Sequence, residues 1–542
     1  MADLDFDYVV VGSGFGGAVS ACRLAEKGYS VCVVEMGKRW EAKDFPKTSW
    51  NARKFIWRPG AKLFGFFNMR PFKHVMILCG NAVGGGSITY ANTMLVPPET
   101  VWRDGSWKGL ANWEADMPAH YATAKRMLGV TQNRILGDAD HMLKKIAVAA
   151  GVDGTFYKTD VAVYFGQDGE KPGTPHADPY FDGEGPPRKS CIGCGGCMVG
   201  CRFDAKNTLD KNYLWFAEKR GAKILAETRV TDIRPIGADD GSEGYEVTTE
   251  RSTAWLFKDK KTIRARNVVV AASALGSMDL LMRAKQKGSL PNISARLGAD
   301  VRTNSESIVG VRFPGTKHDM SKGIAIGSGI HIDQWTHIEA TRYSKGSDAL
   351  GLLATLMVGG KGFGRVLRWM GSAFAHPIKF FRAAWPFGFA TQTLILLVMQ
   401  TIDGTLTFER RRRWYWPFTK LLCSSGKRIP TNIPAANAIV ERSARELGGV
   451  PITSTSEIIF DLPMTAHCIG GCVMGADASA GVIDAQHRVF GYRGLYVVDG
   501  AAVGANLGVN PSFTITALAE RAMSFIPAKS SEPEQQTVLE PG

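Results

Sequence analysis

The stretch "YVVVGSGFGGAVSACRLAEKGYSVCVVEMG", residues 8–37, decides the fold of the N-terminal part of this chain. Residues 8–11 form an apolar run of the kind carried by a strand buried on both faces. Gly12, Gly14 and Gly17 follow in G-x-G-x-x-G spacing, with Phe15 inside the turn. Residues 18–27 read as a helix that Gly28 stops, and residues 29–34 as a second strand ending at Glu35. Such a turn lets backbone N–H groups and a helix N-terminus approach a pyrophosphate. Glu35 stands where a ribose 2′-hydroxyl needs an acceptor, which admits NAD or FAD and disfavours NADP. Strand, turn, helix, strand and acid in register predict an α/β, Rossmann-type dinucleotide-binding unit.

Working outward, 542 residues exceed one compact core, so two or more domains are expected. Hydrophobic residues at 45% and charged residues at 21% exclude a disordered or fibrous chain. The 65 basic and 51 acidic side chains leave a net charge of +14, which favours acidic partners such as anionic lipid or nucleic acid. No recognisable nucleic-acid module accompanies the charge, so a nucleic-acid partner is not expected. The start, "MADLDFD", has no basic n-region, twin arginine or cleavage site, which predicts a cytoplasmic location. There thiols, metal sites or clusters are favoured over disulfides. No uninterrupted apolar run reaches 18 residues, so no transmembrane helix is predicted.

Three further motifs carry a family resemblance: "GNAVGGGSITYANTM" (80–94), "AASALGSMDLLMRA" (271–284) and "VVDGAAVGANLGVNPSFTITALAERAM" (497–523). With the N-terminal unit they resemble, in order and over nearly the whole chain, the glucose–methanol–choline (GMC) family of FAD oxidoreductases. The likeness is to its actinobacterial cholesterol oxidase-like members. The resemblance implies a discontinuous FAD domain from residues 1–110, 202–300 and 465–528. It also implies an α+β substrate domain from 111–201 and 301–464, with a mostly antiparallel sheet. It places Gly84, Gly85, Gly86 and Ser87 near the flavin and its phosphates, and Tyr90 or Asn92 against the ring. Val230, in "AETRVTDI", would pack on the adenine, and Asp499 and Gly500 would close the FAD contact together with Asn510 and Pro511. The polar tail 529–542 reads as disordered.

Alcohol oxidation on FAD needs a group to take the hydroxyl proton and a second to fix the substrate oxygen. His467, in "TAHCIGGCVMG", suits the first task because imidazole titrates near neutrality. Asn510 suits the second because it does not titrate. Glu339, in "HIEATRYSKG", resembles the active-site acid of cholesterol oxidases, and a carboxyl in an apolar cavity would have a raised pKa. Its alternative is an exposed strand glutamate paired with a neighbouring cation. The expected substrate is a bulky apolar alcohol, a 3β-hydroxysteroid first, with terpenoid, long-chain and polyether alcohols as alternatives. An electron-transfer flavoprotein subunit is the rival from another class.

Two features lie outside that frame. "SCIGCGGCMVGC" (190–201) sets Cys191, Cys194, Cys197 and Cys201 in the C-x2-C-x2-C-x3-C spacing of iron–sulfur proteins. A [4Fe-4S] cluster, or a [3Fe-4S] form on three cysteines, would carry single electrons to a quinone, ferredoxin or cytochrome. Zinc, or a loop without metal, are the alternatives, and an enzyme without a cluster would return electrons to O2. The second feature is the insert 361–418. From 361 to 402 it holds Lys361, Arg365, Arg368, Lys379 and Arg382, no acid, and many aromatics; "ERRRRWYWPF" (409–418) adds four arginines. Basic, aromatic segments lie in membrane interfaces, which predicts a peripheral dock on the inner face of the membrane. Between them, "TLILLVMQTIDGTLTFERR" (393–411) reads as a β-hairpin turning at Asp403-Gly404, with a buried first strand.

Overall fold

The computed structural model describes residues 3–413, 416–427 and 429–529, backbone alone at 416–418. The tail from residue 530 on lies outside the described residues, as do Trp414 and Tyr415 of the basic tract.

The N-terminal unit forms as its pattern requires. Strand Phe6–Val11 leads into helix Phe15–Glu26, which starts three residues before the predicted boundary, and then into strand Val31–Val34. Gly12 (φ +99°) turns the chain so tightly that an added Cβ would lie 2.3 Å from the Ala271 carbonyl oxygen. Phe6–Val11 is flanked in parallel by Val31–Val34 and by Lys261–Val270. The seven-stranded sheet runs Lys223–Leu225, Val31–Val34, Phe6–Val11, Lys261–Val270, Tyr245–Arg251, Thr228–Pro235. Leu495–Val497 is its seventh strand, parallel to the end of Lys261–Val270. The fold is thus a Rossmann-type α/β sheet with an antiparallel flank.

A second seven-stranded sheet is antiparallel throughout: Ala354–Leu356, Val450–Ser454, Ser307–Arg312, Thr393–Gln400, Thr336–Thr341, Ile326–His331, Tyr157–Lys158. A separate aromatic cluster packs Phe45, Phe55, Phe66 and Phe67.

The hairpin predicted at 393–411 does not form. Thr393–Gln400 is buried as expected, but Ser307–Arg312 and Thr336–Thr341 occupy both of its edges. No edge is left for the following strand. Leu406–Arg413 therefore pairs with Trp416–Gly426 in a sheet of its own. Asp403 is drawn instead into an ion pair with Arg302, Nε to Oδ1 2.7 Å.

The insert folds into two amphipathic helices, Gly362–Ala375 and Pro377–Ala384, with Pro377 opening the second. Arg365 is not a rim charge: it is 1% exposed and reaches the Val358 carbonyl and Thr431 Oγ1. Trp369 likewise turns inward, donating to Thr355 Oγ1. In the arginine tract, Arg410 pairs with Asp279, Arg411 with Glu409, and Arg413 Nε meets Cys423 Sγ at 3.2 Å. That tract is largely bound up in folding contacts.

Candidate active site

One cavity of about 930 Å3 runs along the carboxyl ends of the first sheet and under the second. Its size suits a cofactor together with a substrate. One end is the glycine cradle. Gly12, Gly14, Phe15, Glu35, Gly85, Gly86, Val230, Asp499 and Gly500 all line it. Helix Phe15–Glu26 points its N-terminus, capped by Gly14, into this end. Ser13, which the sequence reading passed over, ties the cradle together. Its Oγ donates to Glu35 Oε2 (2.7 Å) and accepts from the Gly84 N–H (3.0 Å). Glu35 also accepts from the Ser13 and Gly37 N–H groups, and burial holds its carboxyl above the usual range. Asp499 accepts from Ser277 Oγ and the Ala501 N–H, and burial pushes its pKa up to about 6.

Some predicted cradle residues stand one step back. Gly17 makes the contact between helix and strand: its Cβ would lie 2.0 Å from the Gly12 oxygen. Gly84 (φ +96°) and Ser87, whose hydroxyl donates to the Gly84 carbonyl, shape the second loop from behind. Of the two ring candidates, Tyr90 lines the cavity, packing 5.5 Å from Phe15 and donating to the Asn207 carbonyl. Asn92 is fully buried at φ +63° and does not reach the wall. The sequence could not separate them, because the left-handed backbone at Asn92 itself turns its side chain away from the wall.

Toward the cavity's other end the walls turn apolar, with Ile308, Leu350, Leu353, Phe389, Ile395 and Leu397. Where the two ends meet sit His467, Asn510 and Pro511. His467 follows strand Met464–Thr465, which pairs with Met76–Gly80. Asn510 closes the loop before helix Ser512–Ser524. Glu339 is fully buried behind the wall and not in the cavity lining, which excludes the exposed alternative. Asn510 Nδ2 donates to its Oε2 at 3.2 Å. Burial, opposed by Asn510 and His467, pushes the Glu339 pKa up to about 7. Glu306, which no motif announced, lies on the cavity wall with Oε2 3.1 Å from His467 Nδ1. Burial alone would lower the His467 pKa, but Glu306 and then Glu339 outweigh it, and the net direction is upward.

The four cysteines converge on one small recess with Phe203, Lys206 and Gly323. Gly193 donates its N–H to Cys191 Sγ at 3.4 Å. Yet among the described residues no group of three or more His, Cys, Asp or Glu is set to hold a metal ion. Burial raises the pKa of Cys191, Cys194 and Cys197. The loop has a structural task the spacing did not disclose. Lys206, 1% exposed, donates to the carbonyls of Cys197 (2.7 Å) and Ile88 (2.8 Å). It thereby braces the segment that carries Tyr90.

A dinucleotide cradle opening onto an apolar chamber, with a histidine and an amide at the junction, defines a flavin-type oxidoreductase site. The chain belongs to the GMC oxidoreductase family: its N-terminal family model matches residues 6–299 and its C-terminal model residues 442–519. Cholesterol oxidase of Acinetobacter baumannii is 60% identical over 98% of this chain and 96% of its own length. Cholesterol oxidase of Mycobacterium tuberculosis is 45% identical over 99% and 94%. Pyridoxine 4-oxidase from Mesorbium loti shares the fold at TM-score 0.60, 14% identity, over 96% of this chain and 99% of that one. The protein is therefore an FAD-dependent enzyme acting on CH–OH groups. The residues present fit FAD: both glycine loops lack the side chains that would fill the cradle, with Gly85 so close to Gly14 that a Cβ would lie 2.5 Å from its Cα.

Proposed function

We propose that this enzyme oxidises a bulky apolar alcohol, a 3β-hydroxysteroid foremost, to the ketone, with O2 as the final electron acceptor. The observation that carries the reading is the apolar chamber ending at His467 and Asn510 beside the cradle. The relatives named cholesterol oxidase support it over terpenoid, long-chain or polyether alcohols. FAD, when bound, supplies the hydride acceptor. Asn510 holds the substrate oxygen. His467 takes the hydroxyl proton on its free ring nitrogen, and the nearby carboxylates offset the imidazolium charge. The chamber walls exclude water and align the carbinol carbon. A relay subunit for electron transfer needs no such base and amide.

A second reading keeps the cysteine recess as an iron–sulfur site passing electrons to a quinone, ferredoxin or cytochrome; the shared recess of four thiols favours it. One experiment tests both. Anaerobic titration of the purified protein with a 3β-hydroxysteroid is expected to bleach the flavin bands, and air to restore them with hydrogen peroxide formed. Iron and acid-labile sulfide are expected to be absent. About four irons per chain would move the acceptor to a one-electron carrier. A flavin that no steroid reduces would overturn the substrate reading.

The same proposal places the enzyme peripherally on the cytoplasmic face of a membrane. Outward on the two insert helices stand Phe363 (75% exposed), Phe374 (83%), Ile378 (68%) and Phe381 (66%), among Lys379, Arg382 and no acid. Phe389, just beyond the second of these helices, lines the chamber. Such a face suits anionic bilayers and would bring a lipophilic alcohol to the mouth. Ten unpaired cysteines suit a reducing compartment. Replacing Phe363, Phe374 and Phe381 together by serine is expected to abolish co-flotation with phosphatidylglycerol vesicles while turnover of detergent-solubilised steroid persists. Unchanged flotation would remove the dock.

A further inference from the structure

Glu306 has no part in any motif, yet it is among the most constrained groups in the site. It opens strand Ser307–Arg312 from the preceding turn and is 1% exposed. Its Oε2 lies 2.7 Å from Thr465 Oγ1 and 3.1 Å from the Ala466 N–H. Thr465 Oγ1 in turn lies 3.0 Å from the Thr303 carbonyl and accepts the His467 N–H at 2.9 Å. One carboxylate oxygen thus gathers the two residues before His467 and approaches the ring as well. His467 Nδ1 lies 3.1 Å from the same Oε2, buried and with no hydrogen-bond partner of its own among the described residues. Catalytic hydrogen bonds commonly tighten when substrate enters, and this separation is within that reach.

We propose that Glu306 is a positioning residue for the alcohol oxidation inferred above: it holds the proton of His467 on Nδ1, presents Nε2 to the substrate, and balances the charge when Nε2 is protonated. The step is a single proton transfer. The carbinol O–H bond breaks, its proton joins Nε2, and the ring becomes an imidazolium with N–H groups on both sides. The C–H bond of the carbinol carbon breaks with its electron pair, which FAD would accept as hydride, and the carbon–oxygen bond becomes the ketone C=O. The Nδ1 proton stays on the ring and the Glu306 carboxylate remains ionised, the logic by which a buried acid orients a catalytic histidine. The other group acting on the ring is Glu339, whose Oε2 is held by Asn510. The division of labour follows from the contacts. Glu306 is fastened to the chain of the histidine, Glu339 to the amide that meets the substrate oxygen.

Glu306→Gln keeps the size and the Thr465 contact but removes the charge. In the FAD-loaded enzyme kcat is expected to fall about 100-fold with KM for the steroid within about twofold. The acidic limb of the kcat/KM profile should move to lower pH, because losing a neighbouring anion lowers the pKa of the base. Glu306→Asp should restore part of kcat and the limb. Nitrogen-15 NMR of histidine-labelled protein without substrate, with His467→Gln to assign one signal among ten histidines, reads the same point independently of turnover. The His467 pKa should drop by about one unit or more in Glu306→Gln. A drop in a protein that oxidises no alcohol would uphold the proposal and defeat the functional reading. An unmoved His467 pKa, or unchanged kcat in an active enzyme, would overturn the proposal.

Discussion

His467→Gln is expected to leave FAD bound at wild-type content and to slow anaerobic flavin reduction by a 3β-hydroxysteroid about 1000-fold. The magnitude is that of losing a well-placed general base. The glutamine side chain fills similar space, so the apolar chamber and the Asn510 amide still bind the alcohol. What is lost is the only imidazole on the cavity wall among the described residues, the group to which the proposed function gives the hydroxyl proton. The sign of the pH dependence follows from the same site. His467 must be unprotonated to act, and its pKa lies above the ordinary value because Glu306 and Glu339 offset the burial that would lower it. Activity should therefore fall as pH drops through that raised pKa. Stopped-flow reduction in the variant within about fivefold of wild type would place the base elsewhere and overturn the role given to His467.

The second large effect concerns the cradle. Gly85→Ala should weaken FAD binding about 10- to 100-fold and yield protein largely free of flavin. Gly85 sits at φ +52°, and a Cβ there would lie 2.5 Å from Gly14 Cα and 3.0 Å from Gly14 N. The obstacle is backbone on the partner loop, so no side chain can move aside. The left-handed strain alone is of order 1–3 kcal/mol, and each 1.4 kcal/mol is tenfold in binding. The two glycine loops, joined through Ser13 and the Gly84 N–H, would have to part where the pyrophosphate is held. Gly28→Ala is the comparison. Its φ is +87°, but its nearest neighbour is Lys529 Cβ at 3.8 Å, far from the cradle. It should lower thermal stability and leave the flavin content intact. Equal flavin loss in both variants would mean that backbone strain, and not the Gly85–Gly14 contact, governs binding.

The residues that could be read from the sequence share one property: their roles depend on near neighbours in the chain. The fingerprint glycines, Glu35, and Pro511 before the last helix are local geometry. A turn, a helix start or a strand end is specified within a few positions, and the structure shows the strand, the turn and the last helix in that order, with the first helix starting three residues early and Gly17 packing behind the cradle. His467 and Asn510 were legible for the same reason, as members of glycine-rich loops with a recognisable order.

What failed depended on partners distant in the chain. The hairpin at Asp403-Gly404 had the right turn chemistry, but strands 307–312 and 336–341 had already filled both edges of its first strand. The basic insert looked uniformly superficial, yet Arg365 is buried against Thr431 and Arg410 is paired with Asp279, contacts that no window of sequence contains. Tyr90 and Asn92 were separated only by a left-handed backbone at Asn92. Glu306 is 161 positions from His467 in an otherwise ordinary strand entry, and only the approach of strands 307–312 and 464–465 makes it part of the site. The cysteine run shows the converse: spacing brings four thiols to one recess, yet among the described residues no group of three or more ligands is set to hold an ion. The sequence by itself determined the dinucleotide cradle, the family and the loop that carries His467, because backbone torsions and short loops are local. Only the tertiary structure decided which carboxylate faces the base, which aromatic faces the flavin site and which arginines are free, because burial and charge pairing are properties of elements brought together from far apart.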